Sequence, residues 1–289
     1  MARPDAPATL PPPSGLTEDQ VVDPGVDYTP RPPQGRSDDY HCFVIDPGLT
    51  EDRALVAYEI LPGVKHEVHH VALFAAPMAS AAASDAVEAG PGWTCFGGGG
   101  AGSSIVGSWV PGSPVTRHPD NTGVRLRAGD AIIMQVHYNT SSGPLVPDRT
   151  RLKLKYGAAA TTRQAAVLGF ANTSFTIPPN TLGYSITHTT SLPAGGRLYG
   201  VQPHMHLLGK RIRMELLAGG ATTCLVDVPA WQFHWQQMYF YDTAGGISLP
   251  SGAQLRITCT WDNPGTQTVR FGEGTAEEMC GGGLFVAAP

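Results

Sequence analysis

No run of about 20 apolar residues occurs in this chain, which excludes an ordinary membrane-crossing helix. No basic stretch followed by an apolar one opens it, so no secretory leader is expected among these residues. If the protein is exported, its leader lies outside them. No long segment keeps an apolar period of 3.6, which argues against a helical bundle. Basic residues are not in excess either. Lys and Arg number 19 against 24 Asp and Glu, for a net charge of -5, and nothing here asks for nucleic acid as a partner. Charge of either sign is scarce, at 15% of residues. What remains is 289 residues, 42% of them hydrophobic, with 35 Gly and 26 Pro. That is enough for a sizeable core in one large or two ordinary domains, built from short strands joined by Gly/Pro turns.

The first 36 residues contain "ARPDAPATLPPPSGL" and "DYTPRPPQG". They read as a Pro-rich arm or linker that cannot pack a core by itself. The folded part is expected from Ser37. "HCFVIDP", "ALVAYEILP", "HHVALFAAP", "DAIIMQVHYNT" and "TRLKLKY" are strand-like and bounded by turn residues. "SAAASDAVEAG" is the best short helix or loop. After "YGAAATTRQ" the pattern restarts and runs through "RLYGVQPHMHLLG" and "AQLRITCTWDNPG". The expectation is two all-β domains, 37–159 and 160–289, each an antiparallel sandwich.

Ten histidines are spread along the chain. In "VQPHMHLLGK", His204 and His206 alternate, so in a strand both project to one face and Met205 to the other. Two imidazoles so placed can hold one metal ion, or can face solvent and bond their neighbours. "HEVHH" differs. His69 and His70 are adjacent and would point opposite ways in a regular strand. Both can reach one ion only at a strand end or bulge. His66 stands three residues upstream. His137, late in the apolar "QVHYN", would by itself read as a core histidine bonded to a carbonyl. A zinc hydrolase or an iron cupin would want a carboxylate near the H-x-H, yet the next acid is Glu215. A thioether beside two imidazoles would suit copper, and Met279 in "GEGTAEEMCGGG" is a candidate.

"EVHHVALF", "MQVHYNT", "VQPHMHLLGK", "LRITCTWDN" and "GTAEEMC" occur in this order between Tyr40 and Cys280. Together they resemble the copper type II, ascorbate-dependent monooxygenases, the family of peptidylglycine α-hydroxylating and dopamine β-monooxygenases. The resemblance implies an all-β fold of two antiparallel, jelly-roll-like β-sandwich domains facing each other across a cleft, one copper site in each. It implies that His69, His70 and His137 hold a first copper that stores an electron. His204, His206 and Met279 would hold a second, where dioxygen binds and substrate is hydroxylated. The cofactors implied are two copper ions per chain, ascorbate or a similar one-electron donor, and O2 as co-substrate. Tyr40 matches a cleft tyrosine of the peptide-acting enzyme and is equally readable as a buried strand residue. His66, His118, His188 and His234 match no ligand and are expected to be structural or on the surface.

Five cysteines leave at least one unpaired. The resemblance pairs Cys42 with Cys95 and Cys259 with Cys280, and leaves Cys224 as a free thiol, expected to be buried in "TTCLVDV". Two disulfides imply an extracellular, periplasmic or secretory-lumen location. The chain also departs from the family pattern. Peptide-amidating members clamp a substrate carboxylate with an Arg two residues before the H-x-H and a Tyr four residues after the ligand Met. Gln202 and Gly283 stand there. Desolvating a carboxylate without a charged partner is costly, so glycine-extended peptides are not the expected substrate. Phenethylamines are also expected to turn over poorly. The expected function is hydroxylation of an activated C–H bond in a small-molecule or peptide-like substrate, by a monomer. Two alternatives stand beside it: a non-catalytic copper-binding or electron-transfer protein, and an interaction domain with vestigial metal sites.

Overall fold

A computed structural model describes residues 15–119, 121–141, 143–233 and 236–288. The longer strands are β1 (Asp38–Ile45), β2 (Arg53–Leu61), β3 (Val68–Pro77), β4 (Ser104–Trp109), β5 (Thr122–Leu126), β6 (Asp130–Asn139) and β7 (Arg151–Ala158). They continue as β8 (Arg163–Ala171), β9 (Thr181–Ser191), β10 (Arg197–His204), β11 (Gly209–Ala218), β12 (Ala221–Val228), β13 (Gln254–Asn263) and β14 (Gly281–Ala287). Among the described residues there is one helix, α1 (Met78–Asp85), which begins just ahead of "SAAASDAVEAG" and covers its first half.

The strands form where the pattern demands them. In β13, Leu255, Ile257, Cys259, Trp261 and Asn263 are buried and the intervening residues are not, so one face meets a core. β6 is buried at eight consecutive positions because it is the centre of a five-stranded sheet, in the order Trp93–Thr94, β1, β6, β3, β4. A four-stranded sheet runs β9, β13, β11, β12. A ten-stranded sheet lies behind both. Its main path is Gln20–Val22, β7, β2, β5, β8, β14, β10, Tyr239–Phe240. One core cluster, with Leu55, Leu73, Ile132 and Leu152, gathers around the five-stranded sheet. A second, with Ile212, Leu255, Trp261 and Leu284, gathers around the four-stranded sheet. Each such side chain contributes about 1.5–3 kcal/mol by its burial.

Two features were not in the expectation. The fold begins before Ser37. Gln20–Val22 pairs with Leu152–Leu154, and Tyr28 is buried with its hydroxyl donating to Asp39 Oδ2 at 2.8 Å. The free edge of β7 gives the end of the Pro-rich stretch a partner, so it is an ordered part of the fold from Gly15. The two halves also share backbone. β5 pairs in parallel with β8, Thr122–Val124 against Arg163–Ala165, which makes the long sheet continuous through the middle of the chain. The chain passes from one half to the other in the turn between β7 and β8.

Candidate metal centre

The first histidine set sits on the five-stranded sheet. The register of β3 against β6 shifts between Val68 and His70, which lets adjacent histidines turn to the same side. His70 then lies opposite His137 of β6, and Tyr40 of β1 lies on the other side of His137. One ring nitrogen from each of His69, His70 and His137 falls within 4.8 Å of the others. His70 Nδ1 is 3.3 Å from His69 Nδ1 and 3.2 Å from His137 Nδ1. One Nδ1 holds a single proton or a single lone pair, so it cannot make two full hydrogen bonds here. Nitrogens at about 2.0–2.1 Å from a tetrahedral ion stand about 3.3 Å apart, so a shared cation fits the spacing.

The surroundings fix the rings. His137 Nε2 donates to Asp38 Oδ1 at 2.9 Å, which leaves Nδ1 as the lone-pair nitrogen. Burial opposes the Asp38 charge, but hydrogen bonds from His137 and Thr275 hold the carboxyl down at about 2. Tyr40 stacks on His137, with centroids 4.0 Å apart and planes 8° apart. Burial, and then the neighbouring imidazoles, push His70 well below its ordinary value, so the ring is neutral, as a metal ligand must be.

The second set lies at the end of β10. His204 is the last strand residue and pairs with Gly281, and His206 follows past the strand end. Met205 points into the core and is fully buried. His204 Nε2 is 3.1 Å from Met279 Sδ. The rings of His204 and His206 stand edge to face at 5.1 Å. His206 Nδ1 donates to the Glu277 carbonyl at 3.0 Å, which leaves Nε2 with its lone pair. Burial lowers both rings, His204 to about 3. Two neutral imidazoles and a thioether make a soft donor set suited to Cu(I).

Glu278 holds this corner together. Its side chain is wholly buried and accepts from the backbone N–H of His206 at 3.0 Å, of Leu208 at 2.6 Å and of Met279 at 3.3 Å, and from Trp261 Nε1 at 2.9 Å. Burial pushes this carboxyl up, against the four N–H donors that favour its charge. Cys280 is bonded to Cys259 of β13, and Cys42 to Cys95. Met279 is thus held between a buried carboxylate and a disulfide.

The loop that carries Met279 also reaches the first set. Tyr40 Oη donates to the Glu273 carbonyl at 2.7 Å, and Thr275 Oγ1 donates to Asp38 Oδ1 at 2.7 Å. Phe233 stacks on His69 at 4.5 Å and stands edge-on to His206 at 5.7 Å, so one ring touches a member of each set. Asp38, Glu278 and Phe233 went unnoticed in the sequence. "GTAEEMC" shows two acids before the methionine, but nothing in their spacing says which one is buried.

The other candidates separate cleanly. Gln202 lines a chamber of about 510 Å³ next to His70, His204 and Met279. Tyr40 is not among the described residues lining that chamber, and it packs on the first set instead. His66 is exposed, 3.4 Å from the Pro144 carbonyl. His118 bonds the Leu55 carbonyl at 2.8 Å, and His188 sits mid-strand in β9. His234 lies outside the described residues. Cys224 is a free thiol but is exposed, not buried. It lies in β12, the edge strand of its sheet, where Ala221 to Cys224 are all exposed.

Comparison with known families matches residues 164–284 to "Copper type II ascorbate-dependent monooxygenase, C-terminal domain". No curated protein matches the chain. Among solved structures, the crystal structure of the infectious bursal disease virus VP2 subviral particle is similar at 11% identity and a TM-score of 0.25, over 93% of this chain and 70% of that one. A likeness that faint carries no argument.

Proposed function

We propose that the chain hydroxylates a C–H bond using two copper ions, on the premise that residues 164–284 match the C-terminal domain of the copper type II, ascorbate-dependent monooxygenases. The observation that carries this reading is the pair of donor sets, one of three imidazoles and one of two imidazoles and a thioether, joined through a single aromatic ring. His69, His70 and His137 would hold the first ion, in residues 37–159. His204, His206 and Met279 would hold the second, in residues 160–289.

When bound, copper would supply one-electron chemistry toward dioxygen. The overall reaction places one oxygen atom in the substrate C–H bond and reduces the other to water, with two electrons and two protons from ascorbate or a similar donor. The chain's own part is positional. Asp38 and the Glu277 carbonyl set the histidine tautomers, Glu278 aligns His206 with Met279, and burial keeps the His70 and His204 rings unprotonated. The disulfides fit an oxidising compartment, and we assign the protein there.

A second reading, a copper carrier or electron-transfer protein, draws on one observation. Gln202 and Gly283 leave the chamber without the cation that would clamp a carboxylate. Elemental analysis followed by ascorbate-driven oxygen uptake over a substrate panel separates the two. Two copper ions per chain and substrate-dependent uptake support the monooxygenase. Copper without uptake on any substrate supports the carrier, and no copper overturns both.

A further inference from the structure

The floor of the chamber beside His204 and Met279 is a patch of sheet almost without side chains. Gly169 of β8 pairs with Gly283 of β14, which pairs in turn with Gln202 of β10. Two residues along, Ala171 pairs with Gly281. Glycine inside a strand is destabilising relative to alanine, so a cluster of them needs a reason.

For part of the cluster the fold supplies it. A Cβ on Gly281 would stand 2.4 Å from the Phe170 carbonyl oxygen, and one on Gly282 would stand 2.0 Å from that of Gln202. No side chain fits at either position. Gly169 is different. Its backbone lies in the ordinary region, and a Cβ there would meet nothing within 4 Å. At Gly283 a Cβ would meet Val167 Cγ1 at 3.3 Å and Gln202 at no less than 3.6 Å, a tight but yielding contact. Among the described residues nothing in the packing keeps Gly169 bare. What lies above it is the chamber.

The walls show what the space is shaped for. Phe74, Ile105 and Trp109 come from the first half of the chain, and Val167 and Phe170 from the second. Lys and Arg are absent from the described lining, and its one carboxylate, Glu273, is at the Gly97 side. The polar groups are largely engaged with each other. Gln202 Nε2 donates to Ser108 Oγ at 3.0 Å and to the Gln236 carbonyl at 2.9 Å. Among the described lining residues a charged organic group would find no side chain of opposite sign for an anion and Glu273 alone for a cation. A chamber of about 510 Å³ is within the usual range for a small ligand.

Resting on the copper reading of His204 and Met279, we propose that the substrate enters this chamber as an uncharged, bulky hydrocarbon group, aromatic or branched, and that Gly169 and Gly283 set the size it accepts. The C–H bond to be attacked then lies over the bare floor, next to both His204 and Met279. This assigns a substrate class that is neither a peptide carboxylate nor an amine.

The test is an anaerobic calorimetric titration of the full chain with its copper reduced to Cu(I), for which a carboxylate is a poor ligand, with three matched probes: phenylacetamide, phenylacetate and phenethylamine. The neutral amide should bind at least tenfold more tightly than either ion. Gly169→Leu should weaken amide binding at least tenfold, and Gly169→Ala should cause a smaller loss, clearest with the larger 1-naphthylacetamide. Melting temperature and copper content of both variants guard against misfolding, and the Ala variant carries the test alone if Leu does not fold. Equal or tighter binding of either ion overturns the proposal, as does unchanged 1-naphthylacetamide binding in Gly169→Ala. Because no turnover is read, a chain that prefers the amide but consumes no oxygen over the whole substrate panel refutes the monooxygenase reading and leaves the chamber's ligand preference standing. The reverse result does the opposite.

Discussion

Asp38 decides which nitrogen His137 turns toward His70, since its carboxylate accepts the hydrogen bond from Nε2–H. Asp38→Asn can present either an acceptor or a donor to that nitrogen and so releases the tautomer. Copper affinity at the first site should fall about 10–100-fold, with the second site unchanged. Competitive chelator titration followed by EPR of each site would show it, and equal affinity at the first site would remove Asp38 from the design. Deleting ligands gives the coarser result. His137→Ala and His204→Ala should each retain about one copper of the two, and a His204→Ala protein that still holds two would refute the second set. Met279→His should keep copper, because imidazole is the stronger ligand for Cu(II), yet lose most oxygen uptake, because the harder set disfavours Cu(I). Full activity in that variant would refute the thioether.

The loop from Gly272 to Cys280 is held at its end by a carboxylate and a disulfide, with Met279 between them. Glu278→Gln keeps the shape but turns an amide NH2 toward backbone N–H groups. It should cost about 2–4 kcal/mol, read as a lower denaturant midpoint, together with loss of copper at the second site only. Cys259→Ser should act in the same direction on both readings, whereas Cys224→Ser, on an exposed edge, should change neither. A stable, two-copper Cys259→Ser protein would show that the loop needs no such anchor. At this scale the sequence was readable where chemistry imposes a period. Alternation in "HMH", the adjacency in "HEVHH" that requires a bulge, and the order of five short motifs all point to the residues that the structure gathers. It was not readable where a role depends on a distant partner. Asp38 and Glu278 are ordinary acids until the fold puts His137 and His206 against them. The strand at Gln20–Val22 needs the open edge of β7, which no local pattern reveals.

At the scale of the molecule, the two halves are joined through the parallel pairing of β5 with β8, and further by His118, whose ring packs on Phe285 of β14 at 4.5 Å. Burial lowers His118 to about 4, against its bond to the Leu55 carbonyl. The folded state therefore takes up this proton less readily than the unfolded chain. Stability from this group is complete above about pH 6.5 and is lost as the pH falls from there toward 4, by up to about 3 kcal/mol. Denaturant midpoints measured across that window should fall in the wild type, and His118→Asn should flatten the slope. An unchanged slope would place the acid sensitivity elsewhere. Phe233 has a consequence for rates. A phenyl ring has no permanent dipole to reorient, so if both donor sets hold copper, the ring packed against His69 and His206 would leave less water to rearrange when an electron crossed. Transfer between the two sites should then show little dependence on solvent viscosity or deuteration, and Phe233→Ala should introduce both dependences while leaving two copper ions in place.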